Sequence, residues 1–143
     1  MGTGIPAAIA AKIVYPEKNV VAVIGDGGFL MSGQEVETAV RLGLNLSVLI
    51  FNDGGLGMIR LKQQMLGNNV HGVDFGSVDV TTYAAGFGAT GVRVTSAEEL
   101  GQALANAAKS GGVHVIDVPV DYGENAKLMS QMKMIDCEGI VNS

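Results

Sequence analysis

Apolar residues along this chain fall into short unbroken runs, and glycine closes the two strongest of them. The run VVAVI within residues 19–24 is β-branched throughout, apart from one alanine, and stops at Gly25-Asp26-Gly27-Gly28. LSVLIF over 46–51 repeats the pattern and stops at Asn52-Asp53-Gly54-Gly55. Continuous runs of this kind read as strands buried on both faces. Weaker strand patterns follow at 91–94 and 113–118.

Helical patterns lie between them. Residues 5–13 are rich in alanine, start beside Pro6 and end before Tyr15-Pro16, where proline disfavours continuation. Ser32 and Glu35 have the spacing of a capping box, which predicts a helix over about 33–42. Further helices are expected at 81–87 and, behind the cap candidate Ser96, at 97–109. Strand and helix therefore alternate, and that alternation predicts an α/β fold: a parallel sheet with helices on both faces. Polarity rises after Tyr122, so a domain over residues 1–125 and a partly ordered tail over 126–143 are expected.

Composition narrows the function. With 143 residues, 48% of them hydrophobic, the chain can build one core but not two ordinary domains. Its 21 glycines are about double the usual share, as expected where backbone must turn tightly or approach a ligand. A net charge of -5 without any Lys or Arg run offers nucleic acid no footprint. No apolar stretch approaches the roughly 20 residues that span a bilayer, and 1–14 lacks a basic leader. A cytoplasmic protein without a membrane partner is expected. The single Cys137 can form no internal disulfide and has no clustered ligands for zinc, so it reads as a free tail thiol.

The two glycine turns carry the candidate chemistry. Ligands of open α/β sheets bind beyond the carboxyl ends of the strands, and here each of two such ends carries an aspartate, Asp26 and Asp53. Magnesium takes octahedral oxygen ligation from one or two carboxylates, water and phosphate oxygens. Two aspartates and a diphosphate meet that demand, with a carbonyl of Gly54 or Gly55 as a further oxygen. Gly27 and Gly28 have no side chains to obstruct a phosphate at the start of the following helix. Asp and Gly are also ordinary turn formers, so either turn alone says little. A generic nucleotide or phosphate site stays open, although neither a G-x-x-x-x-G-K-[ST] loop nor a G-x-G-x-x-G loop follows a strand.

The run from Gly25-Asp26-Gly27-Gly28-Phe29 to Asn52-Asp53 resembles the signature of thiamine-diphosphate enzymes, G-D-G followed at a fixed interval by N-N or N-D. MGTGIPAAIAAK, GDGGFLMSGQEVETAVRLGLNLSVLIFND and VIDVPVDY are similar to the diphosphate-binding domain of acetolactate synthase, over residues 1 to about 125. Asn52-Asp53 resembles the catabolic, flavin-independent branch. The resemblance implies a Rossmann-like three-layer domain that lacks the N-terminal strand and helix of the full domain. It implies thiamine diphosphate and Mg2+ as cofactors, with Asp26, Asp53 and the Gly55 carbonyl as metal ligands. Gly25, Gly27 and Gly28 would lie at the diphosphate, Met58 beside the thiazolium, and Met1 under the bent cofactor. Leu56 and Leu61 depart from the family, which has aromatic residues near both positions.

The resemblance also implies what this stretch does not supply. In the family, a glutamate from a pyrimidine-binding domain of a partner subunit activates the cofactor, and no residue here is nominated for that role. Glu35 and Glu37 read as capping or solvated residues, Arg60 and Lys62 as solvated cations, His71 as a loop residue and His114 as a strand histidine. The leading expectation is a piece of an acetolactate-synthase-like enzyme, whose parent reaction decarboxylates pyruvate and joins the two-carbon fragment to a second pyruvate, and inactive alone; a small 2-oxo acid is a substrate only of the complete enzyme. One alternative is a subunit of a split enzyme that needs a separate pyrimidine-binding chain. The other is a homo-oligomerising module without catalysis.

Overall fold

The computed structural model describes residues 1–124, so the tail and Cys137 lie outside the described residues. The elements are α1 (Gly4–Val14), β1 (Val20–Gly25), α2 (Asp26–Ser32), α3 (Glu35–Arg41), β2 (Leu46–Asn52), α4 (Gly57–Met65), α5 (Val80–Gly86), β3 (Thr90–Arg93), α6 (Ala97–Ser110) and β4 (Val113–Pro119). The strands form one parallel sheet in the order β1-β2-β4-β3. No described helix is long and apolar enough to cross a membrane.

Helices cover both faces. On one face Ile5 and Ile9 of α1, Phe29 of α2, Val36 of α3 and Ala84 of α5 pack on Val48, Ile50 and Val115 of the sheet. Phe29, Tyr83 and Phe87 meet edge to face at 5.3 and 5.1 Å, joining α2 to α5. On the other face α6 lays Leu100, Ala103 and Leu104 over Leu49, Val94 and Ile116.

Three local expectations need correction. β1 is not buried on both faces: it is an edge strand, α6 lies over β2 and β4, and Val21 and Val23 are 45% and 58% exposed. The capping box does not form at Ser32, which lies in the last turn of α2, where its hydroxyl donates to the Gly28 carbonyl at 3.4 Å. The chain passes through Gly33 and Gln34 in helical conformation, so α3 has no extended cap residue for Ser32 to be. Finally, α4 has no counterpart in the sequence reading. It has no side-chain cap and buries none of its residues, so the usual start signal and the buried stripe are both missing.

Candidate functional site

Parallel pairing in register brings the two acidic turns together. Gly25, the last residue of β1, pairs with Phe51 of β2, so both strands deliver their next residues to the same edge of the sheet. α2 begins at Asp26 without an intervening loop, and the residues 25–28 expected as a turn are the strand end and first helical turn. Asp26 is buried, and its carboxylate is fixed by two amides. Oδ1 accepts from Gly27 N at 2.7 Å and Oδ2 accepts from Gly55 N at 2.9 Å, which ties the two turns together.

The second turn is braced on several sides. Gly54 has φ of 75°, a conformation that favours glycine, and its N–H donates to Asn52 Oδ1 at 3.1 Å. Leu56 N donates to the Val73 carbonyl and Phe75 N to the Gly54 carbonyl, holding 54–56 against 73–75. Asp53 Oδ2 accepts from Arg60 Nη1 at 3.2 Å, while Arg60 Nη2 reaches Asp74 at 2.6 Å. Gly57 allows the approach of Asp53: a Cβ there would be 2.5 Å from Asp53 Oδ2.

The electrostatics follow from that crowding. Burial pushes the Asp53 carboxyl above its ordinary value, the negative charge of Asp26 adds to the push, and Arg60 opposes it. Tyr122 is raised for related reasons, burial first and then the charges of Asp53 and Asp26. A carboxylate disfavoured by burial and by the negative charge of a second acid suits a divalent cation. Among the described residues no three His, Cys, Asp or Glu gather into a metal group. Two carboxylates with backbone, water and phosphate oxygens match the hard, partly hydrated coordination of magnesium, not that of zinc.

These turns open on a cleft of about 1020 Å³. All seven candidates, Gly25, Asp26, Gly27, Gly28, Asp53, Gly55 and Met58, line it, as does Met1. Gly27 is closely covered, since a Cβ would be 2.7 Å from Leu56 and 3.1 Å from Met1 Cε, whereas a Cβ at Gly28 would meet Ile24 only at 4.0 Å. Leu56, Leu61 and Arg60 also face the cleft, and Tyr122 closes another side. Lys62 instead borders a smaller groove of about 460 Å³ along α4.

Other sequence candidates are elsewhere. Glu35 accepts from Thr38 and Glu37 pairs with Arg41 on the surface. His71 is tied by its backbone to Gln63, and His114 lies near the start of β4, at the opposite end of the strand from the cleft, against Ser110 and Gly111. Sequence reasoning passed over Arg60 as a partner of Asp53, used Asn52 only as part of the N-D motif without a role for its side chain, and did not single out Arg93 or Asp117. Asp117 did carry a signal: it is an acid inside the apolar run VIDVP, where a charge needs a partner.

Residues 1–118 match the family described as thiamine pyrophosphate enzyme, C-terminal TPP binding domain. The chain is 44% identical over 130 residues to an acetolactate synthase of Bacillus subtilis (strain 168), covering 91% of this chain and 23% of that protein. It is 45% identical over 134 residues to a catabolic acetolactate synthase of Raoultella terrigena, covering 94% and 24%. A thiamine diphosphate-dependent 4-hydroxybenzoylformate decarboxylase of Rhodococcus jostii RHA1 superposes with a TM-score of 0.80 at 27% identity, covering 85% of this chain and 23% of that one. The chain therefore spans just under a quarter of the length of these relatives.

Proposed function

The chain belongs to the thiamine pyrophosphate enzymes, where it matches their C-terminal TPP-binding domain, and from that premise we propose that it anchors the cofactor's diphosphate through Mg2+ held by Asp26 and Asp53. The observation that carries this reading is the junction of the two strand ends, where Gly55 N bonds Asp26 and the carboxylates of Asp26 and Asp53 line one cleft. The Gly55 carbonyl is the third protein ligand in this proposal. Gly25, Gly27 and Gly28 line the cleft where the diphosphate would lie, with the missing Cβ of Gly27 admitting Leu56 and Met1, and Met58 and Met1 offer apolar contact to the rest of the cofactor.

When bound, the cofactor supplies stabilisation for the negative charge left on carbon as a 2-oxo acid loses carbon dioxide. What this chain's residues do is bind and orient. Asp26 is held rigid by two amides, so it meets a cation without reorganising. Asp53, whose bare carboxylate is disfavoured by burial and by the charge of Asp26, would gain a compensating positive charge from a bound cation. Arg60, bonded to one oxygen of Asp53, leaves the other for a ligand.

For the larger protein we propose an acetolactate-synthase-like activity on pyruvate, with the activating acid supplied by a pyrimidine-binding domain, in the same protein or a separate chain. Alone, this stretch is inactive in that reading. Support comes from the kinship with acetolactate synthases and from exposed Met58, Ile59, Met65 and Leu66 on α4, an apolar surface suited to a neighbouring domain or a second copy. Calorimetric titration of thiamine diphosphate with and without Mg2+ tests the site. Weak, magnesium-dependent binding is expected, because few contacts must offset an association cost of several to roughly 15 kcal/mol. Asp26→Asn and Asp53→Ala each abolish it. Tight binding indifferent to magnesium would show the aspartates to be ordinary turn residues.

A further inference from the structure

Asp117 is the most deeply buried carboxylate among the described residues, 1% exposed on β4. Its register places it beside Ile50 of β2 and Arg93 of β3, one pleat before the strand end that carries Asn52. Both oxygens are engaged: Oδ1 accepts from Asn52 Nδ2 at 2.8 Å and Oδ2 from Arg93 Nη1 at 2.8 Å. The consequence lies in the chemistry of an amide. Asn52 can present either a donor or an acceptor to its neighbours, but a carboxylate paired with a guanidinium accepts only. Asp117 therefore draws the NH2 of Asn52 toward itself and turns the carbonyl oxygen outward. That oxygen receives Gly54 N at 3.1 Å, at the residue whose positive φ bends the chain between Asp53 and Gly55. The next amide, Gly55 N, is the one that bonds Asp26.

We propose that Asp117 is a positioning residue for the metal-bearing turn, acting through the orientation it imposes on Asn52. This rests on the reading of Asp26 and Asp53 as cation ligands. Arg93, half exposed at its side chain, serves as the counter-ion that lets the carboxylate stay buried. In metal sites, groups that orient the ligands by hydrogen bonding are worth about tenfold to a hundredfold in affinity, and the Asp117 pair belongs to that class.

The test uses the full chain and substitutes Asn for Asp117, which preserves shape but lets residue 117 offer either a donor or an acceptor to Asn52. Amide spectra of 15N-labelled protein report the turn without any ligand: the Gly54 signal is expected to shift or broaden in Asp117→Asn. Mn2+ titrations followed by electron paramagnetic resonance, with thiamine diphosphate present and affinities referred to the folded fraction, are expected to weaken by about tenfold. In an Asn52→Ala background, Asp117→Asn should cause no further loss of affinity while still lowering stability, which a purely structural role would not reproduce. An unchanged Gly54 signal, or affinity losses that add in the double variant, overturns the proposal. So does an unaltered Mn2+ affinity in Asp117→Asn when Asp53→Ala abolishes binding, and this leaves the cation site itself standing. Binding that survives Asp53→Ala, or no binding by the unsubstituted chain, overturns both.

Discussion

Asp53 shows how a single residue is tuned by its position. Its pKa is raised by burial, then by Asp26, so between 3.8 and the raised value the native chain holds a proton that the unfolded chain has released. Stability therefore declines as pH rises through that window, and Asp53→Asn is expected to flatten this part of a denaturant-derived stability profile. Metal binding has the opposite preference, since the cation needs the ionised form. Apparent Mg2+ affinity should thus begin to fall, on acidification, at a pH above the ordinary aspartate range, as calorimetry at stepped pH would show. Gly57 provides a second check on the same carboxylate. Gly57→Ala puts a Cβ 2.5 Å from Asp53 Oδ2 and must displace it, yet alanine suits the first turn of α4. Mg2+ affinity should drop by about tenfold, with the far-ultraviolet spectrum unchanged. Both aspartates were legible in the sequence because each follows an apolar strand. Arg60 was not, because the salt bridge depends on how α4 turns back over Asp53.

At the scale of elements, one spacing had two outcomes. Ser32-x-x-Glu35 and Ser96-x-x-Glu99 are the same pattern, but only the second caps a helix. Ser96 is extended, with φ -141° and ψ 160°, and its hydroxyl accepts from Glu99 N at 3.1 Å, while Glu99 reaches back to Thr95 N at 2.7 Å. At Ser32 the preceding helix continues into the position the cap would need. Gly33 follows from that packing, since a Cβ there would be 2.9 Å from the Phe29 carbonyl and 3.2 Å from its ring. Ser96→Ala is expected to cost about 1 kcal/mol in urea denaturation, as at other helix N-caps, whereas Ser32→Ala should leave the start of α3 unaffected.

For the whole molecule, the exposed apolar residues are the feature to explain. Val21 and Val23 on the open face of β1, and Met58, Ile59, Met65 and Leu66 on α4, leave large side chains in solvent on two surfaces. We expect the isolated chain to form dimers or larger assemblies, and size exclusion with light scattering decides it: a 14.7 kDa species at all concentrations would remove the argument. We also expect no acetolactate from pyruvate with thiamine diphosphate and Mg2+ present. Turnover that copurifies with the chain and vanishes in Asp26→Ala would show the site complete.

The sequence alone determined the alternation of strands and helices, the α/β class and the two acidic strand ends, because each depends on local hydrophobic pattern or on residue types at a strand end. It also carried the family resemblance through G-D-G and N-D. What only the tertiary structure decided depends on which elements become neighbours. An apolar run does not say whether its strand is central or at an edge, so the exposure of Val23 emerged only from the order β1-β2-β4-β3. Asn52 and Asp117 are 65 positions apart and meet because β2 pairs with β4 in one register. Asp26 and Gly55 meet because β1 pairs with β2, so the site's geometry is set by strand pairing across distances that no local pattern records.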